Sequence, residues 1–177
     1  MIEMVRGLKM LDDDVKNAIK TAIQMEKDGF AFYKKASAQT SSDMGRDIFE
    51  SLANDEQLHL EVFQNLFQDK IEKTEWDNLV NSSKKYAEIN IFPKDLKQME
   101  GANPDTNELD ALKIAMDSEK EAIDYYGKIK EKAKEDSIRQ IINEIIEQEK
   151  NHYSILQEEF NHLSKTGYWF ELDVLGG

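Results

Sequence analysis

Between residues 15 and 36 the apolar and small side chains Val15, Ile19, Ala22, Phe30, Tyr33 and Ala36 recur at alternating steps of about four and three. That rhythm gathers them on one face of a helix and leaves polar residues on the other. It returns three times: in Phe49, Leu52, Phe63 and Leu66; in Leu112, Ala115, Ala122, Tyr126 and Ile129; and in Ile138, Ile142, Ile145, Leu156 and Phe160. The pattern predicts helices over about 12–39, 43–70, 107–134 and 136–164. Ser41, Ser42 and Asp43 interrupt the first and supply caps for the second.

Two stretches break the rhythm. Residues 71–106 hold both prolines, Pro93 and Pro104, with a possible short helix over 75–88. The apolar Ile89, Ile91 and Phe92 there are expected to lie on the outside of the bundle. A connection of this length joins the second helix to the third across a bundle, as in four-helix bundles with one long crossover. After Gly167 the tail YWFELDVLGG is no longer helical in pattern, and its aromatic residues are expected to dock on the bundle or on a second subunit. The expected architecture is an all-α four-helix bundle of two repeated helical hairpins with one long crossover, in a single domain, 1–177. It comprises a hairpin over 12–70, a crossover over 71–106, a second hairpin over 107–164 and an aromatic tail over 165–177.

The two hairpins are copies of one unit. A shift of 93 residues lays 15–70 on 108–163 without a gap, and 14 of the 56 aligned pairs are identical. Glu26 falls on Glu119, Tyr33 on Tyr126, Glu56 on Glu149 and His59 on His152. Chance rarely selects the same acids and both histidines.

Those conserved pairs carry the chemistry. Glu26, Glu56, His59, Glu119, Glu149 and His152 stand on the apolar stripes, where a bundle puts its core. A buried carboxylate without a partner costs several kcal/mol or is forced neutral. Four at one level of a bundle call for positive charge, and two divalent cations balance four carboxylates. The Glu-x-x-His spacing of EQLH (56–59) and EKNH (149–152) sets carboxylate and imidazole one turn apart on one face. One glutamate from each of two helices and a Glu-x-x-His from each of the others is the constellation of di-iron and di-manganese bundles. A lone ExxH in a Glu-rich helix means little; two copies, each 30 residues after a core-facing glutamate, mean much more. The alternative is a metal-free bundle in which these side chains pair with lysine or water. Tyr33 and Tyr126 lie seven residues beyond Glu26 and Glu119 on the same stripe. They are candidates for a catalytic role beside the site, against a plain core position with a bonded hydroxyl. Imidazole and carboxylate donors suit iron, and also manganese or zinc.

Composition narrows the function classes. A formal charge of -13 argues against nucleic acid and against anionic lipid. The absence of cysteine removes disulfides, thiolate metal sites and cysteine nucleophiles. No apolar run approaches membrane-spanning length and no signal-like segment opens the sequence, so a cytoplasmic protein is expected.

AIQMEKDGFAFYKKA followed by LANDEQLHLEVF, and again AMDSEKEAIDYYGKI followed by IIEQEKNHYSIL, resembles the rubrerythrin-like branch of the ferritin-like superfamily. The resemblance spans all four helices. It implies a carboxylate-bridged centre of two iron ions that reacts with peroxide or dioxygen. In that scheme Glu56 and Glu149 bridge or chelate, Glu26 and Glu119 are terminal, and each histidine binds one metal. Better-known rubrerythrins carry a four-cysteine rubredoxin domain that relays electrons. With no cysteine in this sequence, the resemblance implies an external electron donor such as a rubredoxin-type protein. They also carry an extra glutamate one turn from the third-helix ligand, where this sequence has Ala115, Met116, Ala122 and Ile123.

The leading expectation is an oxidoreductase reducing peroxide or dioxygen, acting as a homodimer. The alternatives are a ferroxidase serving iron storage or delivery, a binding bundle with purely structural metals, and a monooxygenase acting on an organic substrate.

Overall fold

A computed structural model describes residues 13–67, 74, 77 and 104–169. The described chain folds into four long helices: α1 (Asp13–Gln39), α2 (Asp43–Phe67), α3 (Pro104–Lys132) and α4 (Asp136–Thr166). Among the described residues there is no strand, and the architecture is the all-α bundle expected.

Helix ends follow local chemistry. The Ser42 hydroxyl accepts the Gly45 N–H at 3.2 Å, which caps the first turn of α2. Helix α3 starts three residues before the position expected from periodicity. Its first residue is Pro104, whose fixed φ and missing N–H suit a helix start. The far end of α3 is closed by the Arg139 guanidinium, which donates to the Ala133 carbonyl at 2.8 Å. Helix α4 runs two residues beyond expectation and stops at Gly167, which adopts φ 75° and returns its N–H to the Leu163 carbonyl at 2.8 Å. Glycine alone takes that conformation without strain.

The pairing of side chains fixes the topology. Tyr33 in α1 meets Glu119 in α3, whereas Thr40, just past the end of α1, meets Glu108 near the start of α3. Helices α1 and α3 are therefore antiparallel. Each hairpin is antiparallel within itself, so α2 and α3 run the same way. The connection from Phe67 to Pro104 thus joins opposite ends of the bundle, the arrangement of a single crossover. Thr74 and Asp77 within it are helical and exposed. The expectations for Ile89, Ile91, Phe92 and the rest of 78–103 lie outside the described residues.

The core is continuous through both hairpins. Ile19, Ala22, Tyr33, Phe49, Leu52 and Phe63 of the first half meet Leu112, Ala115, Tyr126, Ile142, Ile145 and Leu156 of the second. Each large apolar side chain buried here stabilises the fold by about 1.5–3 kcal/mol. Trp169 packs edge-on to Phe49, with ring centroids 5.7 Å apart. A Cβ at Gly45 would lie 2.7 Å from the Trp169 ring, so the close approach requires glycine. Of the tail residues expected to dock, Trp169 does, whereas Tyr168 is 76% exposed on this chain and Phe170 lies outside the described residues. Among the described residues no helix is long and apolar enough to cross a membrane.

Candidate metal centre

The 93-residue repeat becomes a pseudo-two-fold axis at mid-bundle, where all six sequence-predicted side chains converge. Glu26 and Glu119 project from α1 and α3, Glu56 and His59 from α2, and Glu149 and His152 from α4. Each is at most 3% exposed. They form two overlapping sets, Glu26, Glu56, His59 and Glu149 in one and Glu56, Glu119, Glu149 and His152 in the other. Within each set one donor atom per residue lies within 4.8 Å of every other. Glu56 and Glu149 belong to both sets. Glu26 with His59, and Glu119 with His152, belong to one each.

Glu149 shows the sharing directly. One of its oxygens lies 3.3 Å from His59 Nδ1 and the other 2.9 Å from His152 Nδ1. His59 Nδ1 is also 3.0 Å from Glu26 Oε2. Both imidazoles turn Nδ1 inward. Their Nε2 atoms point outward, His59 to Gln148 Oε1 at 2.8 Å and His152 to Asp55 Oδ2 at 3.2 Å. An Nε2–H held by an outer acceptor leaves Nδ1 as the inward donor to a cation. The rings face each other at 27° with centroids 5.9 Å apart.

Without a cation the cluster must satisfy itself with protons. Burial raises the pKa of Glu26, Glu56 and Glu119, and neighbouring carboxylates raise it further at Glu56 and Glu119. Burial acts the same way on Glu149, but hydrogen bonds to His152 and His59 outweigh it and hold this acid below the usual carboxylate range. Burial lowers both histidines. At His152 the bonds to Asp55 and Glu149 prevail and push the pKa up to about 10. At His59 the charge of Glu26 and bonds to Glu149, Glu26 and Glu56 likewise outweigh burial and raise the imidazole well above its ordinary value. The metal-free cluster thus favours an anionic Glu149 between two protonated imidazoles, and burial with like-charge repulsion favours the protonated form of Glu56 and Glu119. Two divalent cations would take the place of those protons, with four positive charges for the four carboxylates and neutral imidazoles as ligands.

Tyr33 donates its hydroxyl to Glu119, and Tyr126 donates to Glu26. Each tyrosine therefore holds the unshared glutamate of the opposite hairpin. Burial, followed by the charge of Glu119, raises the Tyr33 phenol well above its ordinary value, so it keeps its proton and acts as a donor.

A profile of the rubrerythrin family matches residues 17–160, which take in most of all four helices. The chain belongs to the rubrerythrin family. Among solved structures, this rubrerythrin-family chain is similar to a hypothetical protein from Pyrococcus furiosus. That match has a TM-score of 0.64 and 18% identity, and covers 89% of this chain and 94% of the other. At that identity the likeness concerns the fold. No curated protein gives a significant match.

Several polar residues near or beyond this carboxylate–histidine cluster escape a reading of periodicity. Asp55 and Gln148 each precede the glutamate of a Glu-x-x-His, off the apolar stripe, and only the antiparallel packing of α2 on α4 brings them to the opposite histidine. Glu108 is buried at the start of α3, where Thr40 and the Trp169 indole donate to it, the latter at 2.8 Å. Glu159 is buried in α4 at a position whose repeat partner is Leu66, so the repeat gives no sign of it. Glu121, Glu144 and Glu147 are exposed, as solvated acids should be.

Proposed function

We propose that this rubrerythrin-family chain binds two iron ions and uses them to reduce peroxide or dioxygen, with electrons from an external donor such as a rubredoxin-type protein. The observation that carries this reading is the pair of overlapping donor sets sharing Glu56 and Glu149. Four carboxylates and two neutral imidazoles suit two divalent first-row metals, and iron among them supports redox turnover. Bound as Fe(II), the pair supplies the two electrons that reduction of peroxide to water requires.

The protein's part is positional. Glu56 and Glu149 span both halves, while Glu26 with His59 and Glu119 with His152 hold one half each. Tyr33 and Tyr126 fix the unshared glutamates and keep phenolic protons beside the centre. The donors are at most 3% exposed, which favours a small oxidant over a bulky organic substrate. The reading includes a cytoplasmic homodimer.

Stopped-flow mixing of the di-ferrous protein with hydrogen peroxide tests it. Oxidation that outpaces free Fe(II) supports the proposal. A rate no faster than free Fe(II) sinks it.

A further inference from the structure

The pseudo-two-fold relation holds for every donor of the centre: Glu26 and Glu119, Glu56 and Glu149, His59 and His152, and the tyrosines behind them. It breaks at the outer hydrogen bond. Positions 55 and 148 are equivalent in the repeat, but one is aspartate and the other glutamine. His152 Nε2 therefore faces a carboxylate, Asp55 Oδ2, at 3.2 Å. His59 Nε2 faces a neutral amide oxygen, Gln148 Oε1, at 2.8 Å.

The difference has a chemical consequence. An imidazole N–H that donates to a carboxylate makes a charge-assisted bond, which pulls the proton outward and leaves more electron density on the other nitrogen. His152 Nδ1 is then the better donor to a cation. Asp55 also adds a formal negative charge to that half, whereas Gln148 adds none to the other. The Asp55 side chain is 40% exposed, so water weakens the effect without removing it.

We propose that Asp55 and Gln148 make the two halves of the centre unequal, so that the half built on Glu119 and His152 takes up a divalent cation before the half built on Glu26 and His59. This rests on the metal-site reading above. In it Asp55 and Gln148 are positioning residues, acting through the histidines they hold. Asymmetry of this kind gives the site a loading order and distinguishes one metal position from the other, although their direct donors are the same in kind.

The test uses zinc, which binds such donors and does not change oxidation state. Crystals of the full chain grown with a single molar equivalent of Zn(II) report the occupancy of each half by anomalous scattering. The expected occupancy beside His152 exceeds that beside His59 by roughly tenfold, the low end of the effect of an outer hydrogen-bond partner on metal affinity. In the exchange variant Asp55→Gln/Gln148→Asp the preference should invert. Both substitutions fall on partly or fully exposed helix positions. As a check by calorimetry, Asp55→Asn should weaken the first zinc-binding step by roughly the same factor, while Gln148→Ala leaves that step unchanged. Equal occupancy in the unmodified protein, or a preference that the exchange does not alter, overturns the inference and leaves the metal site standing. Absence of zinc at either half with excess metal overturns the metal-site reading, and this inference with it.

Discussion

The Tyr33 phenol in α1 donates to the Glu119 carboxylate in α3, so the first hairpin positions an acid that belongs to the second. Tyr126 returns the contact on Glu26. Such reciprocal bonds tie the two copies of the repeat together at the level of the proposed metals. Tyr33→Phe keeps the ring and removes the donor. It should weaken binding of the metal held by Glu119 and His152 by about tenfold, with helical content unchanged. Zinc calorimetry alongside circular dichroism checks both parts.

The metal-free protein should lose stability as pH rises from neutral. A histidine whose folded pKa exceeds its unfolded value contributes fully below the unfolded value and loses that contribution as pH passes the folded one. For His152 the window runs from the ordinary 6.5 to about 10. The raised Glu26, Glu56 and Glu119 act in the same direction, because they too hold protons in the fold that the unfolded chain has released. Thermal melts of chelator-treated protein should therefore fall in Tm across this window. With metal bound in place of the protons, that slope should largely disappear. A flat profile for the metal-free protein contradicts the proton-filled cluster.

Metal removal should also lower stability at a fixed pH. Ions that bind only the folded state shift the folding equilibrium toward it. At free metal a hundredfold above Kd the gain is about 2.7 kcal/mol. Denaturant titration of the loaded and chelated forms, in buffers of equal ionic strength, measures it.

The Trp169 dock is a separate structural element. Gly45→Ala places a methyl group against the indole, and Trp169→Phe removes the donor to Glu108. Each should cost about 1–3 kcal/mol in urea unfolding, the first by overpacking and the second by loss of a bond to a buried acid. Neither should change metal stoichiometry.

The sequence exposes most of this architecture because the same period governs both core and chemistry. Glu26 and Glu119 fall in step with Ala22, Tyr33, Ala115 and Tyr126, so a reading of the apolar stripe finds the acids at once. The 93-residue shift then pairs them with their counterparts. Asp55 and Gln148 are hidden for the same reason. Each lies one residue before a stripe position, about 100° around the helix, and acquires its role from a histidine on another helix. Glu108 and Glu159 lie in core positions that the repeat matches to Val15 and Leu66, so symmetry points away from them. Helix ends depended on caps: Pro104 extends α3 backward, and Gly167 fixes where α4 stops. Tyr168 shows the limit of reading docking from aromatic content, since its neighbour Trp169 has the indole N–H that Glu108 accepts and Tyr168 stays in water.

The shared position of Glu56 and Glu149 is the centre of the account, and metal content measures it most directly. Protein purified without added metal should contain about two equivalents of iron by elemental analysis, as two overlapping donor sets require. Both equivalents should be lost together in Glu56→Ala and in Glu149→Ala, whereas Glu26→Ala should retain about one, held by Glu119 and His152. No metal in the unmodified protein, or a single equivalent untouched by either substitution, would contradict a shared two-metal site.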